Sequence, residues 1–232
     1  MARSDTAQLY AFDKALQLGR AVRIAGVDEA GRGPLAGPVV AAAVVLDLDK
    51  QIDGVNDSKA LSAPRREALY DLITQSATWA VGIATHEEID SINILQASLL
   101  AMKRALDGLA QSAAAPSAAW SLALIDGNVP VRGLAASRQQ TVVRGDGTSA
   151  SIAAASIVAK VTRDRLMCAY HEQYPGYEFA LHKGYATRLH REKIRTLGLC
   201  GIHRRTFCEA INETDVETDV ETDVSQTSLD LS

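Results

Sequence analysis

No stretch of these 232 residues stays apolar over the roughly 20 residues that a membrane-spanning helix requires, so no membrane association is expected. The opening residues Met1-Ala-Arg-Ser-Asp-Thr-Ala-Gln8 lack the basic and apolar regions of a secretion signal, and a cytoplasmic protein is expected. Cysteine is scarce: Cys168, Cys200 and Cys208 are odd in number, which speaks against a disulfide framework. His171, His182, His190 and His203 crowd the same region, but the spacings match no usual zinc pair such as C-x-x-C. The tail from Glu213 to Ser232 has no base and no aromatic residue. It repeats Glu-Thr-Asp-Val three times and carries seven acids, a composition that predicts disorder.

That tail masks the charge of everything before it. The formal charge of −4 sums 24 Lys and Arg against 28 Asp and Glu; without the seven tail acids the balance is 24 against 21, or +3. Residues 182–212 carry seven Lys or Arg against two acids. A basic end of this kind suits a polyanion bound through its phosphates, although basic helices are also ordinary surface.

What is present is enough apolar residue, 47%, to bury one core with an appendage. Leu9, Phe12 and Leu16 have helical spacing, so residues 1–20 form an accessory segment with a short helix. Strands are expected at Val22–Asp28, Val39–Leu46, Thr78–Thr85, Ser121–Ile125 and Gln139–Val143, the second of them covered on both faces because it is apolar without alternation. A helix opens at Ser62 with Pro64 in its first turn, and a long one follows the capping box Thr85-His-Glu-Glu88 with Ile92, Leu95, Leu99, Met102, Leu106 and Leu109 on one face. Ala113–Ala119 reads as a small-residue connector. A last long helix, Ser149 to about His171, is rich in Ala and Ser on its early turns, which allows close approach to a sheet. Five strands with crossing helices make a mixed α/β layer fold, with a core at 21–174, a basic helical extension at 175–212 and the acidic tail at 213–232.

The chemistry is expected where acids end strands. Asp28 and Glu29 follow an apolar run and precede Gly31-Arg32-Gly33, which forbids regular continuation; Asp126 likewise ends an apolar strand before Gly127. Carboxylates at the mouth of a core need a cation, and hard oxygen ligands suit magnesium or manganese. A further candidate is Asp164, which shares a helix face with Ser156 and Lys160 at four-residue spacing. Taken singly, each of these acids also reads as a turn or a surface ion pair. Four acids converging on two divalent ions would serve water attack on a phosphodiester.

Several blocks resemble the successive motifs of bacterial ribonuclease HII: Gly26–Pro38, Asn56–Ser62, Leu124–Asn128, Ser151–Asp164 and His182–Thr187, in the right order across residues 22–210. The resemblance implies a ribonuclease H-like five-stranded sheet flanked by helices, with a C-terminal helical extension. It implies a Mn2+- or Mg2+-dependent endonuclease, a monomer, that cuts the RNA strand of RNA–DNA hybrids and the 5′ side of single ribonucleotides in duplex DNA, leaving 5′-phosphate and 3′-hydroxyl ends. By position, Asp28, Glu29 and Asp126 match the metal-binding acids and Asp164 the fourth catalytic acid. Gly31, Arg32 and Gly33 match the loop that recognises the ribose 2′-hydroxyl, and Tyr185 the tyrosine that stacks on the following sugar. Lys59 and Lys183 are reasonable phosphate contacts, as is the Arg204-Arg205 pair. Departures from the family pattern occur at Thr148, Glu178 and Leu199–His203; at Thr148 weaker phosphate binding is expected. A non-catalytic hybrid binder and a DNA-only nuclease on the same fold are the alternatives.

Overall fold

The computed structural model describes residues 6–17, 22–111 and 120–209. The expected connector at 113–119 and the acidic tail at 213–232 lie outside the described residues. Five strands form one sheet: β1 (Ile24–Ala30), β2 (Val39–Val45), β3 (Thr78–Ala84), β4 (Leu122–Asp126) and β5 (Gln139–Val142). Their spatial order is β3-β2-β1-β4-β5. β2 runs antiparallel to both β1 and β3, while β4 is parallel to β1 and β5 parallel to β4. The sheet is therefore mixed, and the strand limits shift from the expected ones by up to two residues.

Both faces are covered, as the unbroken apolar run of β2 demands. Val39, Ala41, Ala43 and Val45 join Ala25, Val27 and Ile125 under α3 (His86–Gln111). Ala42 and Val44 face the other way, onto α4 (Ala150–Gln173), α2 (Ala63–Ser76) and α1 (Thr6–Gln17). The short α5 (Phe179–His182) and the basic α6 (Arg188–Leu197) follow α4, and residues 205–209 are helical. No helix among the described residues is long and apolar enough to cross a membrane.

Three local features set the frame for the site. Gly26 lies against the start of α4 so closely that a Cβ there would stand 2.0 Å from the Ser151 carbonyl carbon, and the Ala153–Ser156 run that follows is fully buried. The small residues thus bring α4 onto β1. Asp13 of α1 is buried and accepts from the Ser151 N–H (2.9 Å) and hydroxyl (2.8 Å), placing negative charge at the N-terminus of α4, where the helix dipole favours it. The leading helix, with Leu9 and Tyr10 also buried, is thus part of the core packing.

The third feature is in α3. Its capping box forms reciprocally, Thr85 N–H to Glu88 (2.9 Å) and Glu88 N–H to the Thr85 hydroxyl (3.3 Å). The single helical face expected to follow is interrupted at Asn93, whose φ of 66° breaks the helix and whose side chain caps a new start at the Gln96 N–H (3.1 Å). Ile92 and Leu95 consequently stay partly exposed, while Leu99, Met102, Leu106 and Leu109 are buried as the stripe predicts.

Candidate active site

Strand alternation decides which acids meet. Gly26 is paired with Leu124 across the parallel β1–β4 ladder, so two residues on, Asp28 lies opposite Asp126. Both positions face α4, since Ile24 and Leu124 pack on that side and Val27 and Ile125 on the other. Glu29 belongs to the opposite face at the same strand end. Its side chain is only 8% exposed and pairs with Arg32 (3.2 Å).

Each acid has a separate local donor. Asp28 accepts from the Glu29 N–H (2.7 Å) and Asp126 from the Gly145 N–H (2.7 Å). The latter bond brings in Asp146, in a single 3₁₀ turn (Gly145–Gly147) between β5 and the Ser149 cap of α4. Asp146 stands 3.9 Å from Lys59, whose own loop is pinned to α4 by the Ser58 N–H donating to the Ser156 hydroxyl (3.1 Å).

The electrostatics report the same grouping. Burial first, then the charges of Glu29, Asp126 and Asp146, holds the Asp28 carboxyl well above the usual carboxylate range. Glu29 is raised by burial and by Asp126 despite Arg32, and Asp146 by burial, Asp57 and Asp126 despite Lys59. Lys59 loses some basicity to burial, but Asp146, Asp57, Asp28 and Asp126 outweigh that and hold it above its ordinary value. Four carboxylates and one exposed lysine therefore share one end of the sheet, with more negative charge than the local cations match.

Asp164 is not part of that set. Its carboxylate is bound to Lys160 one turn back on α4 (2.7 Å), and its charge bears on the neighbouring Arg163. The fourth acid of the cluster is Asp146. Sequence reading passed over it because Arg144-Gly145-Asp146-Gly147, just past the end of β5, looks like a turn. The usable signal was an acid three residues ahead of the Ser149 cap of an Ala/Ser-rich helix.

The glycine-rich loop is adjacent and rigidly held. Leu35 N–H donates to Gly184 O (2.8 Å), Gly37 N–H to Ile202 O (2.9 Å) and Arg204 N–H to Leu35 O (2.8 Å), so the segments around 184 and 203 flank it. Tyr185, 39% exposed, stands beside this loop with Lys160 and Arg163 5.6 and 5.7 Å from its ring centre. Arg32 and Gly33 are exposed, and Gly31 is buried.

Two expected phosphate contacts are corrected. Arg204 is fully buried and donates to backbone carbonyls of the loop, so its guanidinium is not available at the surface. Lys183, with φ of 52°, turns its ammonium back onto the Ala180 carbonyl and to Cys168 (3.3 Å), capping α5. Lys59 remains exposed beside the acids. The C-terminal histidines form a neutral stack: Cys200 N–H donates to His203 Nδ1 (2.9 Å), His203 and His190 share a bond between Nε2 atoms (3.1 Å), and His190 Nδ1 reaches the Tyr185 carbonyl (2.9 Å). Burial, chiefly, lowers both His190 and His203 to about 4.

All the donors at the strand ends are hard carboxylate oxygens, which fit magnesium or manganese. With each acid held by its own neighbour, no three His, Cys, Asp or Glu side chains among the described residues form a closed ligand set. The charge imbalance around Asp28 is the demand that a divalent cation would meet.

A family model described as Ribonuclease HII matches residues 25–210. The Ribonuclease HII of Endomicrobium trichonymphae is 50% identical over 200 residues, covering 86% of this chain and 91% of that protein. Ribonuclease HII 1 of Methylibium petroleiphilum is 54% identical over 184 residues, covering 79% and 88%. Among solved structures, the ribonuclease H2 of Pyrococcus horikoshii superposes with a TM-score of 0.62 at 28% identity, covering 83% of this chain and 98% of that one.

Proposed function

This chain belongs to the ribonuclease HII family, a metal-dependent ribonuclease acting on the RNA strand of RNA–DNA hybrids, and from that premise we propose the site and manner of its reaction. Asp28, Glu29, Asp126 and Asp146 would hold two divalent ions, Mg2+ or Mn2+. When bound, such a pair supplies an activated water and stabilises the departing oxygen of a phosphodiester. The observation that carries this reading is the placement of Asp28 opposite Asp126 on one sheet face, with Asp146 tied to Asp126 through the Gly145 N–H.

The chain's own residues select the bond. The loop at Arg32 and Gly33, both exposed, would read the ribose 2′-hydroxyl, the group that separates RNA from DNA. Tyr185 supplies a ring for stacking on the next sugar, and Lys59 a cation for a phosphate. Read this way, the enzyme also cuts on the 5′ side of a single ribonucleotide in duplex DNA. Water adds to phosphorus, the P–O3′ bond breaks, and the products are a 3′-hydroxyl and a 5′-phosphate on the ribonucleotide.

The reading is tested by following a labelled RNA–DNA hybrid with Mg2+ or Mn2+ supplied and then chelated. RNA-strand cleavage that stops on chelation, and that Asp126→Asn abolishes, supports it. Cleavage indifferent to either change contradicts it, and hybrid binding without cleavage favours a binding protein instead.

A further inference from the structure

The two most deeply buried arginines among the described residues spend their hydrogen bonds on backbone carbonyls and not on a carboxylate. Arg163 donates to the carbonyls of Pro38 (3.0 Å), Lys183 (3.0 Å) and Ala36 (3.1 Å); Arg204 donates to those of Gly37 (2.9 Å), Arg32 (2.9 Å), Gly31 (2.6 Å) and Pro38 (3.2 Å). Both side chains are fully buried. Burying a guanidinium is costly unless its donors are satisfied, and here the partners are backbone oxygens, all but that of Lys183 in the loop from Gly31 to Pro38. Gly31 makes room for this: with φ of 97°, a Cβ there would lie 2.0 Å from Arg163 Nε.

The peptide geometry turns these bonds into an orientation. In a planar trans peptide the N–H points away from the C=O. The Gly31 carbonyl shares its peptide with the Arg32 N–H, and the Arg32 carbonyl with the Gly33 N–H. Arg204 holds both carbonyls inward, so both N–H groups point outward, at the two exposed residues of the loop. Neither N–H is engaged by another described residue.

We propose that Arg204, supported by Arg163, is a positioning residue for ribonucleotide selection: by gripping the Gly31 and Arg32 carbonyls it fixes the Arg32 and Gly33 N–H groups as donors toward the 2′-hydroxyl. The inference rests on the functional reading above and adds to it the device that sets the loop. Lysine cannot replace the grip, because three donors on one nitrogen do not span four carbonyls as a planar fork does. Arg204 thereby shapes the specificity loop from beneath, without itself touching substrate.

The test compares affinities for two duplexes of one sequence, all-DNA and containing one ribonucleotide, with divalent ion chelated so that neither is cut. For Arg204→Lys, and for Arg163→Lys to a lesser degree, the ratio of the two affinities falls toward one, by about tenfold for Arg204→Lys, as loss of one well-aimed hydrogen bond implies. A merely structural role lowers both affinities together and leaves the ratio alone. In the unaltered chain, amide exchange at Arg32 and Gly33 slows on adding the ribonucleotide duplex and not on adding the all-DNA duplex. Folded arginine variants that keep the full ratio, or amides that do not respond, overturn the proposal. An unaltered chain that binds the two duplexes equally overturns the functional reading itself.

Discussion

Gly26 and Ser151 meet backbone to backbone: a Cβ on Gly26 would lie 2.0 Å from the Ser151 carbonyl carbon and 2.2 Å from its oxygen. That contact places the N-terminal turns of α4 directly over β1, two residues before Asp28, and so sets the floor beneath the acids. Gly26→Ala forces helix and sheet apart. The expected loss is about 3 kcal/mol of unfolding free energy, read by chemical denaturation, with activity falling as the acids lose register.

The reassignment of the fourth acid separates two single variants. Asp146→Asn removes a carboxylate electrostatically linked to Asp28 and Asp126, and cleavage is expected to drop by about a hundredfold or more at fixed Mn2+. Asp164→Asn breaks only its pair with Lys160, a partly exposed i,i+4 contact of about 0.5 kcal/mol, and cleavage is expected to stay within a few-fold. Initial rates of both variants on one hybrid substrate decide between them.

Tyr185 is expected to act through its ring. Tyr185→Phe keeps the stacking surface and retains most activity, whereas Tyr185→Ala weakens substrate binding by about 1–2 kcal/mol, seen as a raised KM on a duplex with one ribonucleotide. Equal effects of the two substitutions would locate the contribution in the hydroxyl instead.

The histidine stack predicts a pH dependence of stability. His190 and His203 are lowered to about 4, so between about pH 6.5 and 4 the unfolded chain binds protons that the native chain refuses. Stability from these two groups is present above the unfolded value and is lost as pH falls through that window. The raised acids Asp13, Asp28, Glu29 and Asp146 act in the opposite sense over part of the same range, because the native state holds their protons more tightly. The readout is therefore a difference: His190→Gln, though less stable at pH 7, loses less stability per pH unit than the unaltered chain, by up to about 1.4 kcal/mol. Parallel curves from urea titrations at pH 5 and 7 would contradict this.

Where the sequence was legible, burial and charge changed sharply along it. Val39–Val45 could only be a doubly covered strand, and Asp28 and Asp126 stand out because each ends an apolar run at the edge of a core. Thr85 and Glu88 announce a helix start through a local, reciprocal bond. Asp146 was hidden because its position depends on a tertiary bond, Gly145 N–H to Asp126, that no local pattern encodes. Arg204 and Lys183 were misread for a related reason: a cation in a basic segment reads as surface, and nothing in the neighbouring residues shows that backbone carbonyls 166 to 173 positions away will receive the guanidinium of Arg204 or that Lys183 will fold back on α5. The break at Asn93 was likewise invisible to a helical stripe that continues across it.

The most direct measurement is product mapping on a DNA duplex carrying one ribonucleotide, with Mg2+ or Mn2+ present and then chelated. The account predicts a single cut on the 5′ side of that ribonucleotide, a 3′-hydroxyl and a 5′-phosphate at the new ends, and loss of the cut on chelation and in Asp126→Asn and Asp146→Asn. A cut in the matched all-DNA duplex, or a ribonucleotide cut that survives removal of either aspartate, would contradict it.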